Sequence, residues 1–184
     1  PYGWSKINTE QDVAPIADDD FSPTFMRSST AYGFSPRLRA DLVVNNLVGF
    51  AFLDGEALIK SDGSPWRPLV HIEDISRAFA VLMEADAELV HDEAFNIGST
   101  EENYRISEVA EIVGEVTGAA VTMSDEAFND IRNYRVTCDK FTDRFPEAAP
   151  RWTVRKGAES LLAAMQRYGM THDDLEGSTY MRLR

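Results

Sequence analysis

The chain has 184 residues, 43% of them hydrophobic and 27% charged, which is enough apolar material for one domain or a small domain with an appendage and too much for wholesale disorder. Thirty-one acidic residues against eighteen basic leave a net charge of −13, which opposes extended contact with a nucleic-acid backbone or an anionic membrane surface. No apolar run reaches the roughly 20 residues of a membrane helix, and the single cysteine, Cys138, excludes an internal disulfide and fits a reducing, cytoplasmic setting.

In chain order, Tyr2 to Val13 reads as a helix, followed by a loop at Ala14 to Ser22 where three aspartates cluster between prolines. Thr24 to Ala31 is predicted as a strand, closed by the turn-rich stretch Tyr32-Gly33-Phe34-Ser35-Pro36. Leu42, Val43, Leu47, Phe50 and Ala51 recur at three- and four-residue steps, which predicts a helix over Leu38 to Leu53, stopped by Asp54-Gly55. Ala57 to Lys60 is expected as an edge strand and Arg67 to Ile72 as a second strand feeding a helix. That helix, Ile75 to Ala85, begins beside Glu73-Asp74, two carboxylates where a helix N-terminus favours them. Glu93 to Ile97 reads as a strand, with Ser99 or Thr100 capping the next element. Ile106 to Val116 is the most regular amphipathic helix, and Gly118 ends it. Ala119 to Met123 is a strand candidate, and Ser124 to Pro150 is expected to be irregular around one short element, Tyr134 to Thr137. A last helix runs from Val154 to Tyr168 and ends at Gly169. Strands alternating with helices at this spacing predict an α/β protein.

Tyr2 and Lys6 are four residues apart, so on a helix their β-carbons lie about 5 to 6 Å apart on one face. A phenol titrates near pH 10, and drawing it to about 7 needs roughly 4 kcal/mol of preferential anion stabilisation. An ammonium about 4 Å away supplies that at an effective dielectric near 20, but only about 1 kcal/mol in open water. Burial therefore decides whether the pair is an acid/base or a surface Tyr packed over a Lys stem. In the Arg67 strand a planar guanidinium can fork onto phosphate oxygens, with the Asn46 amide donating beside it. The competing readings are a salt bridge of Arg67 with Glu73 or Asp74 and a local backbone bond of Asn46. His71 and Asp74 read as structural, and Trp66 and Trp152 as core or cleft-wall residues.

The segments PYGWSK, FMRSSTAYG, VVNNL, SDGSPWRPLVHIEDISRAF and AFNIGS, in that order, resemble the extended short-chain dehydrogenase/reductase family, the NAD(P)-dependent epimerases and dehydratases of nucleotide sugars. The resemblance covers nearly the whole chain. It implies that Tyr2 is the acid/base and that Lys6 lowers its pKa while holding the nicotinamide ribose of NAD or NADP, with Arg27 and Ser28 also at the cofactor. It places Thr30, Asn46, Arg67, Asp130 and Arg132 at a nucleotide-sugar substrate. Thr30 stands where the family usually has Asn, and Ala127 where an Arg usually precedes the acidic residue by three. The resemblance further implies that 1–33 and roughly 67–98 complete a Rossmann-like nucleotide-binding parallel sheet while 34–66 and 99–184 form mainly a small α/β substrate-binding domain. A homodimer through helices that include the Tyr-Lys one is expected of the full-length protein.

The eleven glycines include no G-x-G, whereas a dinucleotide fold needs a glycine-rich turn at its first helix. The sequence is therefore expected to be the C-terminal portion of such an enzyme, with residues before Pro1 and after Arg184 and little activity alone. C4 epimerisation through a 4-keto sugar is the preferred expectation. A 4,6-dehydratase, a ketoreductase or a non-catalytic binding module of the same fold remain open.

Overall fold

The computed structural model describes residues 2–128 and 132–177, with side chains of Tyr2 and of 125–128 excepted. Helix α1 is Tyr2–Val13, followed by a single 3-10 turn, Ala14–Ile16. None of the described α1 side chains is buried, and Trp4 and Ile7 are 69% and 47% exposed. Strand β1, Thr24–Ser28, runs parallel to β5, Glu93–Ile97. The strand expected over Thr24 to Ala31 is interrupted at Ser29, where the chain leaves one sheet and enters another. The Ser29 N–H donates to Ile97 O at 3.0 Å, and β2, Thr30–Tyr32, then pairs in parallel with β4, Trp66–His71. Strand β6, Asn103–Arg105, lies antiparallel on the other side of β4. Strand β3, Glu56–Ser61, has as its partner β7, Ala120–Phe128. Alternating helices and mainly parallel strands make this an α/β fold.

Helix α2, Val43–Asp54, starts five residues later than the apolar periodicity predicts. Leu38 and Ala40 are buried and so extend the periodicity, but they lie in a loop. That loop is fixed by the two asparagines of NNL, since Asn45 Nδ2 donates to Arg39 O and Asn46 Nδ2 to Ala40 O, both at 3.0 Å. Helix α3, Ile72–Glu84, begins at the strand end with His71 as its N-cap and Glu73 and Asp74 in its first turn, as expected. Helices α5, Ile106–Thr117, and α7, Val154–Tyr168, match their periodicity. Each stops at a left-handed glycine, Gly118 at φ 75° and Gly169 at φ 62°.

Three expectations need correction. Thr100 caps no helix: its hydroxyl accepts from Cys138 N at 2.9 Å and donates to Asp139, and β6 intervenes before α5. The short element expected at Tyr134 to Thr137 has no regular structure, while a helix, α6, forms at Asp139–Arg144 inside the stretch expected to be irregular. One and a half turns are too short to show a period. What holds α6 is tertiary: Phe141 and Phe145 pack on the buried Phe95 ring at centroid distances of 6.0 and 5.7 Å. The short helices α4, Ala87–Val90, and α8, His172–Glu176, were not anticipated for the same reason.

Most of the buried apolar side chains among the described residues fall into two clusters. The larger joins α2, α5 and α7 through Val48, Val113 and Leu161 over Ala57 and Leu69 of β3 and β4. The smaller joins Ala78 of α3, Phe95 of β5 and Phe141 of α6.

Candidate active site

A cleft of about 300 Å³ opens between the ends of β2, β3 and β4 and the start of α2. It brings together Thr30 from β2, Asn46 from α2, Arg67 from β4 and Arg132 from the segment before α6, four positions spread over a hundred residues of sequence. Leu42, Val43, Leu47, Leu58 and Ile106 supply apolar walls, and Lys60, Ser61, Asp41 and Tyr134 line it as well. These last four were not singled out from the sequence. The alternation of β3, with Ile59 buried and Lys60 exposed, was the only available sign.

The two adjacent asparagines divide their work. Asn45 is 2% exposed and its Oδ1 accepts from Gly33 N at 3.0 Å, which fixes the Tyr-Gly turn. Asn46 is the one on the cleft, and its amide also makes the local backbone bond to Ala40 weighed above. Arg67 is 7% exposed. Its Nη1 donates to Trp66 O at 2.7 Å and to the carbonyl oxygen of Arg132. Asp74 is engaged elsewhere, accepting from Arg77 Nη1 at 3.0 Å and from the backbone N–H of Arg151 and Trp152 at 3.1 Å. Arg67 therefore joins the cleft and the segment that closes one side of it.

That segment, residues 132–138, is held without a ladder. Asn103 accepts from Val136 N and donates to Val136 O, both at 2.9 Å. Asn133 Oδ1 accepts from Trp66 N at 3.0 Å and Asn96 Nδ2 donates to Thr137 O at 3.0 Å. The Arg135 guanidinium lies 4.6 Å from the Trp66 ring centroid. Asp130 lies outside the described residues.

Tyr2 opens α1, its side chain outside the described set. Lys6 faces a groove of about 710 Å³ between α1 and β1 that is also lined by Thr9, Glu10, Gln11, Arg27 and Ser28. Three of the four positions expected at the cofactor thus share one groove. Arg27 spends its guanidinium on Glu10: Nε donates to Oε1 at 2.9 Å and to Oε2 at 3.1 Å, and Nη2 also donates to Oε2. That bond holds the Glu10 carboxyl below the usual carboxylate range. His71 and Asp74 are buried and structural, as read from the sequence, and Trp152 stacks on His71. Among the described residues no cluster of metal-ligating side chains occurs, and no helix is long and apolar enough to cross a membrane.

The Tyr-x-x-x-Lys helix thus borders one polar groove, while Arg67 and Arg132 line a separate cleft. The NAD dependent epimerase/dehydratase family matches residues 1–98, more than half of the chain, and the chain belongs to that family. In the solved structures it is similar to the UDP-glucose 4-epimerase of Thermotoga maritima with UDP-glucose, at 22% identity and a TM-score of 0.76, covering 92% of this chain and 54% of that one. It is similar to TunA, an NAD-dependent NDP-hexosamine 5,6-dehydratase involved in tunicamycin biosynthesis, at 21% identity and a TM-score of 0.76, covering 95% and 55%. A third is the dTDP-glucose 4,6-dehydratase of Bacillus anthracis in complex with NAD, at 20% identity and a TM-score of 0.67, covering 82% and 46%. The chain spans about half the length of these structures. At these identities they establish the fold, which is that of Rossmann-like epimerases and dehydratases.

Proposed function

We propose that this chain carries the acid/base helix and the substrate cleft of an NAD(P)-dependent enzyme acting on a nucleotide-linked sugar, with C4 epimerisation through a 4-keto sugar as the reaction. The observation that carries the reading is the convergence of Thr30, Asn46, Arg67 and Arg132 on one cleft with apolar walls. Two guanidinium-bearing residues and an amide suit a diphosphate, and apolar walls suit a base. Asp130 belongs to the same proposed substrate set.

Lys6 and Ser28, with Gln11 in the same groove, are donors of the kind a ribose and a carboxamide accept from, so the residues present fit the nicotinamide end of NAD or NADP. A bound nicotinamide would supply hydride acceptance and return. The chain's own part is the proton: Tyr2, as phenolate beside the Lys6 ammonium, takes the O–H proton at C4 as the C4–H hydrogen departs as hydride and the carbonyl forms, and gives the proton back to that oxygen when C4 is reduced from the opposite face. Retaining the sugar through its diphosphate while the ring turns over is the work assigned to Arg67 and Asn46.

A dehydratase reading is kept because a 4,6-dehydratase and a 5,6-dehydratase are matched as well as an epimerase. A homodimer through α1 belongs to the same proposal and is supported by the exposed Trp4 and Ile7. The test is Tyr2→Phe in the full-length protein. Turnover of a nucleotide sugar such as UDP-glucose falls by about 10³-fold or more while its calorimetric affinity changes little. Near-normal turnover would end the assignment.

A further inference from the structure

None of the described α1 side chains is buried, so polar contacts help to seat the helix on β1. Among them is the pair of Glu10 with Arg27, in which both carboxylate oxygens are bonded by the Nε and Nη2 edge of the guanidinium. Glu10 follows Lys6 by four residues and Tyr2 by eight, so all three lie along one stripe of the helix. A carboxylate one turn beyond an ammonium is within i,i+4 reach of it, and the Glu10 carboxylate is turned to β1. Of the elements packed against α1, the turn Ala14–Ile16 has no ionisable side chain and β1 brings Arg27. Among the described residues the remaining ionisable groups on the groove are Lys6 and Glu10 themselves.

We propose that Arg27 is a positioning residue for the acid/base pair: by holding the Glu10 carboxylate against β1, it prevents Glu10 from drawing the Lys6 ammonium one turn away from Tyr2. This rests on the assignment of Tyr2 as acid/base made above. It gives the Arg27 side chain a role that does not require contact with the cofactor. Without Arg27, Glu10 and Lys6 form an i,i+4 pair and the ammonium moves back along the helix. At an effective dielectric near 20, a separation that grows from about 4 Å to about 6 Å weakens the ammonium–phenolate attraction by about a third, which shifts the phenol's ionisation equilibrium by about tenfold, or one pH unit.

The experiment is the pH profile of kcat/KM for UDP-glucose in the full-length enzyme, together with absorbance titration of the Tyr2 phenol read as the difference from Tyr2→Phe. In Arg27→Gln both the acidic limb and the phenol titration move up by about one unit. In Arg27→Gln/Glu10→Gln both return to the wild-type position, because no carboxylate remains to compete. Arg27→Lys, which keeps an ion pair with Glu10, moves them by less than half as much, and this variant carries the test if Arg27→Gln does not fold. An unmoved profile in Arg27→Gln, or a shift that the double variant fails to reverse, overturns the proposal. Activity retained in Tyr2→Phe overturns the underlying assignment instead, so the two failures are distinct.

Discussion

The imidazole of His71 lies stacked on the indole of Trp152, ring centroids 3.9 Å apart and planes 16° apart. Its Nδ1 accepts from Glu73 N at 3.2 Å, which caps α3, and the edge of the ring meets Tyr32. The ring thus joins β4, α3 and the segment before α7 while acting as an acceptor, a role only the neutral form can fill.

Burial pulls the His71 pKa below its ordinary value, with Glu73 and Asp74 opposing the shift. The unfolded chain then takes up a proton near pH 6.5 that the folded chain refuses until lower pH. Stability is full above about 6.5 and falls as pH drops from there toward the lowered folded value. Thermal midpoints measured from pH 7.5 to 5.5 decline accordingly. His71→Asn, which keeps an acceptor at the cap, is less stable at pH 7.5 and shows a flatter dependence. A slope unchanged in that variant would assign the titration to another group.

Gly157 of α7 sits against the Tyr32 ring: a β-carbon there would lie 2.2 Å from Cε2 and 3.0 Å from Cδ2. Tyr32 is 2% exposed and held edge-on by His71, so it has nowhere to go. Gly157→Ala is expected to cost about 1–3 kcal/mol by overpacking, less up to about 1 kcal/mol gained from helix propensity. Gly49→Ala in α2 is the control. Its β-carbon would meet Leu175 Cδ1 at 2.7 Å, a side-chain end that can rotate, and urea midpoints should fall by less.

Arg67→Lys retains the charge on β4 but loses the planar guanidinium, whose Nη1 donates to both the Trp66 and Arg132 carbonyls. Calorimetric titration of the full-length variant with UDP-glucose should show affinity about tenfold or more below wild type, in line with roughly 1.5–3 kcal/mol for a bond to a charged group. Unchanged affinity would remove Arg67 from the proposed phosphate contacts.

Asn103 holds the 132–138 segment through both backbone groups of Val136. Two residues on, Cys138 is 1% exposed and burial pushes its thiol up to about 11, so at pH 8 it is expected to resist a disulfide reagent. Asn103→Ala leaves Val136 and the Thr100 carbonyl without these partners. Labelling of Cys138 is expected to accelerate by about tenfold or more, as local opening no longer meets those bonds. Equal rates in both proteins would show that the segment is held by its other contacts.

The strand and helix positions that could be read from the sequence are those with a full period behind them. Val154 to Tyr168 and Glu93 to Ile97 coincide with α7 and β5 because each is long enough, or well enough bounded by turn residues, for local pattern to decide. Where tertiary contacts decide, local pattern misleads. Leu38 and Ala40 keep an apolar rhythm in a loop that Asn45 and Asn46 pin from α2, and α6 exists because Phe141 and Phe145 find Phe95. Thr30, Asn46 and Arg67 were readable as cleft candidates from motif and resemblance. Lys60 and Asp41 carry no motif, and only the meeting of β3 with the start of α2 reveals them. The tie between Glu10 and Arg27, seventeen residues apart, is equally invisible to a local reading.

The stretch that brings Arg132 and Tyr134 to the cleft owes nothing to strand pairing, since its backbone is gripped by the side chains of Asn96, Asn103 and Arg67. Lengthening or shortening it would leave every neighbouring ladder in register. One wall of the cleft can therefore be rewritten while the scaffold beneath stays the same, so under the proposed function a change of accepted sugar requires no rebuilding of the frame.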